Sequence, residues 1–220
     1  MGMYMAYGVL TAVMAGGMLL VFILRNRMVL WKNRVYLRML IILLLAVVAE
    51  LLWRSILPVF LQPNLESEVL FRIFVTICTL FLFYQFFLYD MAVTCKMMLK
   101  KTVLFQVFFC IFLLVNAISV ISPLYNLTWF YNKNLHNYNL WGNFLQLLIL
   151  LFCLCAGVYL IIRSKNMLNK REYQVLLLAH YLLVIDLYVQ LILNTRNRVS
   201  YFLFSVIMII YYRLFHRSEQ

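Results

Sequence analysis

The chain has 220 residues, 66% of them hydrophobic, 17% aromatic and only 12% charged, with a mean hydropathy of +0.94 and a net charge of +12. Those proportions exclude a water-soluble domain, in which the apolar share is nearer half. The Lys and Arg residues flank apolar runs and do not share a polar face, which excludes a nucleic-acid partner and points to the bilayer and its anionic headgroups.

Crossing about 30 Å of hydrocarbon takes about 20 apolar residues in a helix. Seven runs meet that need, at 5–24, 39–57, 69–89, 102–121, 144–162, 175–193 and 199–215. No strand-like alternation appears, and backbone groups in lipid must be satisfied within their own segment, so helices are expected throughout. The first run has no basic residue before it and is too long for a signal-peptide core, so it is expected to persist as a span. Linkers, low-complexity tracts and internal repeats are missing, so 1–220 reads as a single all-α, seven-helix transmembrane domain.

The gaps between runs set the orientation. Arg25, Arg27, Lys32, Arg34 and Arg38 fill the first gap; Lys96, Lys100 and Lys101 the third; Arg163, Lys165, Lys170 and Arg171 the fifth; Arg213 and Arg217 the tail. The opposite gaps hold only Lys133, Arg196 and Arg198. By the positive-inside rule the N-terminus lies outside and the C-terminus in the cytoplasm. The second gap carries Pro58, Pro63, Glu66 and Glu68. The fourth is the longest and is crowded with Tyr125, Trp129, Phe130, Tyr131, His136, Tyr138 and Trp141. Aromatic residues at that depth anchor helices at the interface, or cap an outward-facing pocket. All three prolines are expected in outer connections. The five cysteines fall within or at the inner ends of apolar runs, which gives no disulfide framework.

An ionisable side chain at the bilayer centre costs about 2.5–3.5 kcal/mol, so each one requires a reason. Glu50 and Arg54 are four residues apart on one helical face, and Asp186 sits at the same expected depth, so the three form a candidate switch network. Arg72 follows Glu68 by four residues at the outer interface. Arg54 and Arg72 together would suit a carboxylate or phosphate. With Trp129, Tyr138 and Trp141, Arg72 makes a candidate outer ligand site. His180 has a side chain whose free form titrates near neutrality and is the candidate pH-sensitive group. Asp90 closes the third run at its inner end, where water is expected to reach it. Gln85, Gln106, Asn116, Gln146 and Gln190 read as interhelical hydrogen-bonding residues.

No catalytic set emerges. Ser67-Glu68 with Arg72 resembles the Glu-Glu-x-x-x-Arg motif of the CPBP intramembrane proteases, but Ser67 replaces the first carboxylate and none of His136, His180 or His216 fits that family's histidine motifs. The last run has no Lys for a retinal Schiff base, three scattered histidines give no metal site, and no cofactor is expected. A transporter would show Gly- or Pro-broken spans, yet Gly157 is the only glycine inside runs two to seven.

Glu50-Leu51-Leu52-Trp53, Phe86-Phe87-Leu88-Tyr89-Asp90, the stretch 116–138 leading to Gly142, and Tyr211-Tyr212-Arg213-Leu214-Phe215 together resemble the N-terminal membrane sensor regions of bacterial diguanylate cyclases and histidine kinases, those of Firmicutes especially. That family brings a Tyr-x-Arg-Gly element before its fifth helix. Here Tyr138-Asn139-Leu140-Trp141-Gly142 is one residue longer and lacks the Arg. The resemblance implies a signal-input module in the bacterial cytoplasmic membrane, without enzymatic activity of its own, acting on a cytoplasmic effector, with pairing as a homodimer open to it. The sequence stops at Gln220 with no output domain, which is expected in a longer product or in an associated protein. The alternatives are a small-solute transporter or channel subunit and a structural subunit of a membrane complex.

Overall fold

The computed structural model describes residues 2–25, 30–53, 65–94, 103–125, 127–132, 137–138, 140–193 and 198–216. Within them run α1 (Gly2–Arg25), α2 (Trp31–Leu51), α3 (Leu65–Val93), α4 (Val103–Leu124), α5 (Leu140–Arg163), α6 (Lys170–Leu193) and α7 (Arg198–Tyr211). A π-helical turn, Tyr212–His216, continues α7. Among the described residues the one sheet element is a two-residue antiparallel pair that sets Tyr131 opposite Tyr138 and Asn132 opposite Asn137.

Among the described residues, five helices are long and apolar enough to span a membrane: Ala6–Arg25, Ser67–Val93, Phe105–Leu124, Trp141–Arg163 and Lys170–Val189. The chain is thus a helical membrane protein. Two of the seven expected spans fall short of that standard. α2 has the length but includes Lys32, Arg34, Arg38 and Glu50, and the last is a shorter apolar helix, Tyr201–His216. α2 also starts eight residues before its apolar run at Met39, because Asn33, Val35 and Tyr36 are buried and their packing extends the helix through its basic segment.

α3 is the central helix. It packs on α2, α4 and α5, and every residue of 82–91 is buried. A helix apolar nearly all round belongs in the interior, and Phe83, Phe86 and Phe87 are among its buried side chains. α1 packs on α2 and α7, α5 on α6, and α6 on α7. Apolar side chains such as Leu20, Leu24, Val107, Leu114, Leu178 and Ile185 cover the outside. A surface of that kind suits a lipid surround.

Local chemistry sets the helix ends. The turn between α5 and α6 closes with Asn169 N–H donating to Glu172 Oε2 at 2.9 Å, half of a capping box that starts α6. Pro123, expected in a loop, sits in the last turn of α4. Among the amides, Gln146 donates across to Ser119 Oγ at 3.2 Å, whereas Asn116 donates to Phe112 of its own helix and Gln106 is exposed. The Gln190 side chain lies outside the described set. Midway along α3, Tyr201 O–H donates to Thr79 Oγ1 at 2.7 Å, the Thr79 proton being engaged with the Val75 carbonyl.

Tyr201→Phe removes that link between α3 and α7 while keeping the ring. Unfolding in bicelles is expected to show a loss of about 0.6–2 kcal/mol, the range for an interhelical hydrogen bond in a membrane.

Candidate functional site

The buried face of α3 ends in an acid. Asp90 Oδ2 lies 2.9 Å from His180 Nε2 on α6, and both side chains are fully excluded from solvent. His180 Nδ1–H donates to the Leu176 carbonyl at 2.8 Å, which fixes the ring on its own helix. Asp90 is therefore not hydrated, as its position at a helix end suggested. The Phe-rich run before it carries it into the interior.

Gly157 on α5 makes the pair possible. A Cβ there would lie 2.5 Å from both Asp90 Oδ2 and His180 Nε2. Cys153, one turn earlier on α5, is buried on the same side, and Asp90 acts on it electrostatically. Three helices thus meet at a single polar point, each through a residue that only that point explains.

A second polar group lies beside it. Tyr211 of α7 stacks on Tyr89 (5.3 Å between centroids) and on Phe86 (5.8 Å), and Phe86 also packs on His180 at 4.8 Å. The Tyr211 hydroxyl and Asp90 Oδ1 are both buried without a hydrogen-bond partner among the described residues, and Asp90 acts electrostatically on Tyr211. One turn further on, His216 Nδ1–H donates to Asn33 Oδ1 at 2.8 Å, leaving Nε2 to accept from Tyr89 O–H at 3.1 Å. Lys32 Nζ donates to the Phe215 carbonyl at 3.1 Å, and Tyr36 O–H to the Met208 carbonyl at 2.6 Å. The end of α7 is clasped between the start of α2 and the end of α3.

The residues singled out from sequence lie elsewhere, except His180. Glu50 is half-buried on α2 and Asp186 is buried on α6. α2 packs mainly on α1, α3 and α7, and α6 on α5 and α7, so these two helices are not principal neighbours. Arg54 lies outside the described residues. Arg72 pairs with Glu68 on its own helix at 2.7 Å, partly exposed. Trp129 and Trp141 turn their rings outward at 75% and 58% exposure, the placement of interfacial anchors. Tyr138 stands in the short strand pair, its side chain undescribed. Asp90, Gly157 and His216 were the residues to find. The lone glycine among the later spans was the available signal.

No family model, curated protein or solved structure matches this chain. The functional reading therefore depends on the chemistry of these contacts.

Gly157→Ala sets two effects against each other. Helix propensity favours Ala by about 1 kcal/mol, while forcing a methyl into a filled site costs about 1–3 kcal/mol. With hard contacts on both polar atoms the clash is expected to win, giving a net loss of stability. Asp90→Ala, which strands a buried partner, should lose more, about 3–5 kcal/mol. Reversible unfolding of the two variants in bicelles checks both the sign and the order.

Proposed function

We propose that this chain is a signal-input module of seven spanning helices in a bacterial cytoplasmic membrane, with the N-terminus outside and the basic end in the cytoplasm. α7 would transmit the signal to a cytoplasmic effector, within a homodimer. The observation that carries this reading is the clasp on α7: His216, Phe215 and Met208 are held by Asn33, Lys32, Tyr36 and Tyr89 from two other helices. A structural helix end in a membrane protein needs only lipid and water at its boundary. Here the end is instead tied into the interior through a π-helical turn, a device common at functional sites. Transmission requires two packings separated by a few kcal/mol, whose balance a stimulus shifts through differential affinity.

The basic residues around the clasp support the orientation and the contact with anionic headgroups. The buried acid and imidazole also favour a second reading, a proton-coupled transporter subunit, since such pairs mark proton relays in membranes. Solute flux in proteoliposomes without an effector would select that alternative.

Two measurements test the sensor reading. In a cysteine-free background, a membrane-impermeant maleimide applied to intact cells should label Met3→Cys and spare Ser218→Cys; labelling of both from one side would remove the mechanical path. With a diguanylate cyclase catalytic domain joined after Gln220, Asn33→Ala should change basal output about fivefold or more, the usual scale of about 1–3 kcal/mol in coupling. Trp129→Ala should leave it unchanged. Equal output from both variants and the parent would reject transmission through the clasp.

A further inference from the structure

His180 sets both its ring nitrogens against acceptors. The Leu176 carbonyl faces Nδ1 and can only accept; Asp90 Oδ2 faces Nε2 at 2.9 Å. A neutral imidazole has one N–H and a carboxylate has none. The two contacts therefore hold two protons, either as imidazolium against carboxylate or as neutral imidazole accepting from a carboxylic acid. Both arrangements have no net charge. Removing one proton leaves a charge of minus one and two lone pairs opposed across one of the contacts. Turning the imidazole into its other tautomer only moves the conflict from Asp90 to the Leu176 carbonyl.

We infer that Asp90 and His180 form a proton-binding site inside the helix bundle, whose occupancy closes the contact between α3 and α6 and is read by α7 through Tyr211. The proton comes from water at the basic end and returns there. Asp90 is one turn from Thr94, whose N–H and hydroxyl both donate to the Asp90 carbonyl as α3 ends. Once the proton leaves, the contact at Gly157 loses the hydrogen bond that holds two polar atoms where a Cβ would not fit. The contact is closed at low pH and opens as pH rises through the titration of the pair.

The groups facing the site from the surrounding elements are Cys153 on α5, Tyr89 on α3 and Tyr211 on α7. Behind them stand His216 and, from α2, Tyr36, which packs on both Tyr89 and His216. Asp186 lies further along α6. Tyr211 stacks its ring on Phe86 and Tyr89, and its hydroxyl lacks a hydrogen-bond partner among the described residues. A charge appearing on Asp90, whose Oδ1 also lacks a partner among the described residues, gives that hydroxyl an acceptor to turn toward. Any such movement is applied to the helix whose end is clasped. Transmission by α7 rests on the proposed sensor role, whereas proton binding by the pair does not.

The test uses the full chain in nanodiscs, titrated from about pH 5 to about pH 9, the range that spans free imidazole. Asp90 and Asp186 are the only aspartates, so isotope-labelled aspartate with Asp186→Asn isolates the Asp90 carboxyl in the infrared. A spin label at Arg213→Cys, an exposed position in the turn after α7, reports the helix end. The infrared signal of Asp90, or the ring-nitrogen resonances of His180, should titrate, with label mobility following the same midpoint. Asp90→Asn, whose amide can donate to Nε2 without titrating, should reduce the label response at least tenfold. A pair that does not titrate overturns proton binding, and this needs no Asp90 variant, so poor folding of Asp90→Asn cannot shield the inference. A titrating pair with an unmoved label, or an Asp90→Asn chain that responds like its parent, overturns the reading by α7. Same-side labelling of both termini would reject the sensor role and leave the titration intact.

Discussion

The interior of this bundle is organised by the cost of keeping an acid and an imidazole out of water. Either group alone would be expelled toward the membrane surface or would destabilise the helix carrying it. Facing each other across α3 and α6, each supplies what the other lacks. The contact also fixes rotation, since successive residues of a helix differ by about 100° in direction. Turning α3 by one residue would carry Asp90 away from His180 and leave two stranded polar groups. Gly157 fixes the third helix, because only a position without a Cβ can lie over the pair.

From that point the packing continues into α7. Phe86 touches both His180 and Tyr211, and Tyr89, next to Asp90 in sequence, stacks on Tyr211 and donates to His216. Consecutive residues of a helix point in different directions, so Tyr89 and Asp90 serve different neighbours from one turn. Asp90 addresses α5 and α6, and Tyr89 addresses α7. The aromatic rings matter for stiffness as well as area. Each has few rotamers, and a filled interior has few intermediate arrangements. A shift at the acid is therefore passed on as a change of packing.

The helices are legible in the sequence because apolar runs of membrane length have few alternatives, and the spacing of the Lys and Arg residues marks which ends lie together. The bounds of α2 are less so: its basic segment reads as a loop by hydropathy, yet Asn33, Val35 and Tyr36 are buried and keep it helical. His180 stands out because imidazole is rare in an apolar run. Its partner does not, since Asp90 and His180 are 90 residues apart and nothing local links them. Depth matching pointed to Glu50 and Asp186 instead, on α2 and α6, helices that pack chiefly on others; Arg54, the third member of that set, lies outside the described residues. Gly157 is conspicuous as a lone glycine, but its purpose needs the third dimension.

The two ends of the bundle differ in how their helices are joined. At the end away from the basic segments, Glu68 and Arg72 pair within one helix, Trp129 and Trp141 face outward, and Gln146 of α5 donates to Ser119 of α4. At the basic end, Asn33, Lys32, Tyr36 and Tyr89 bind the last turns of α7, with Asp90, Gly157 and His180 immediately behind. Ion pairs within a helix are indifferent to how that helix sits against its neighbours, whereas hydrogen bonds between helices exist in one packing only. With several such bonds gathered around α7 at the basic end, a change in helix arrangement there carries a polar penalty, and a change in protonation has leverage over that arrangement.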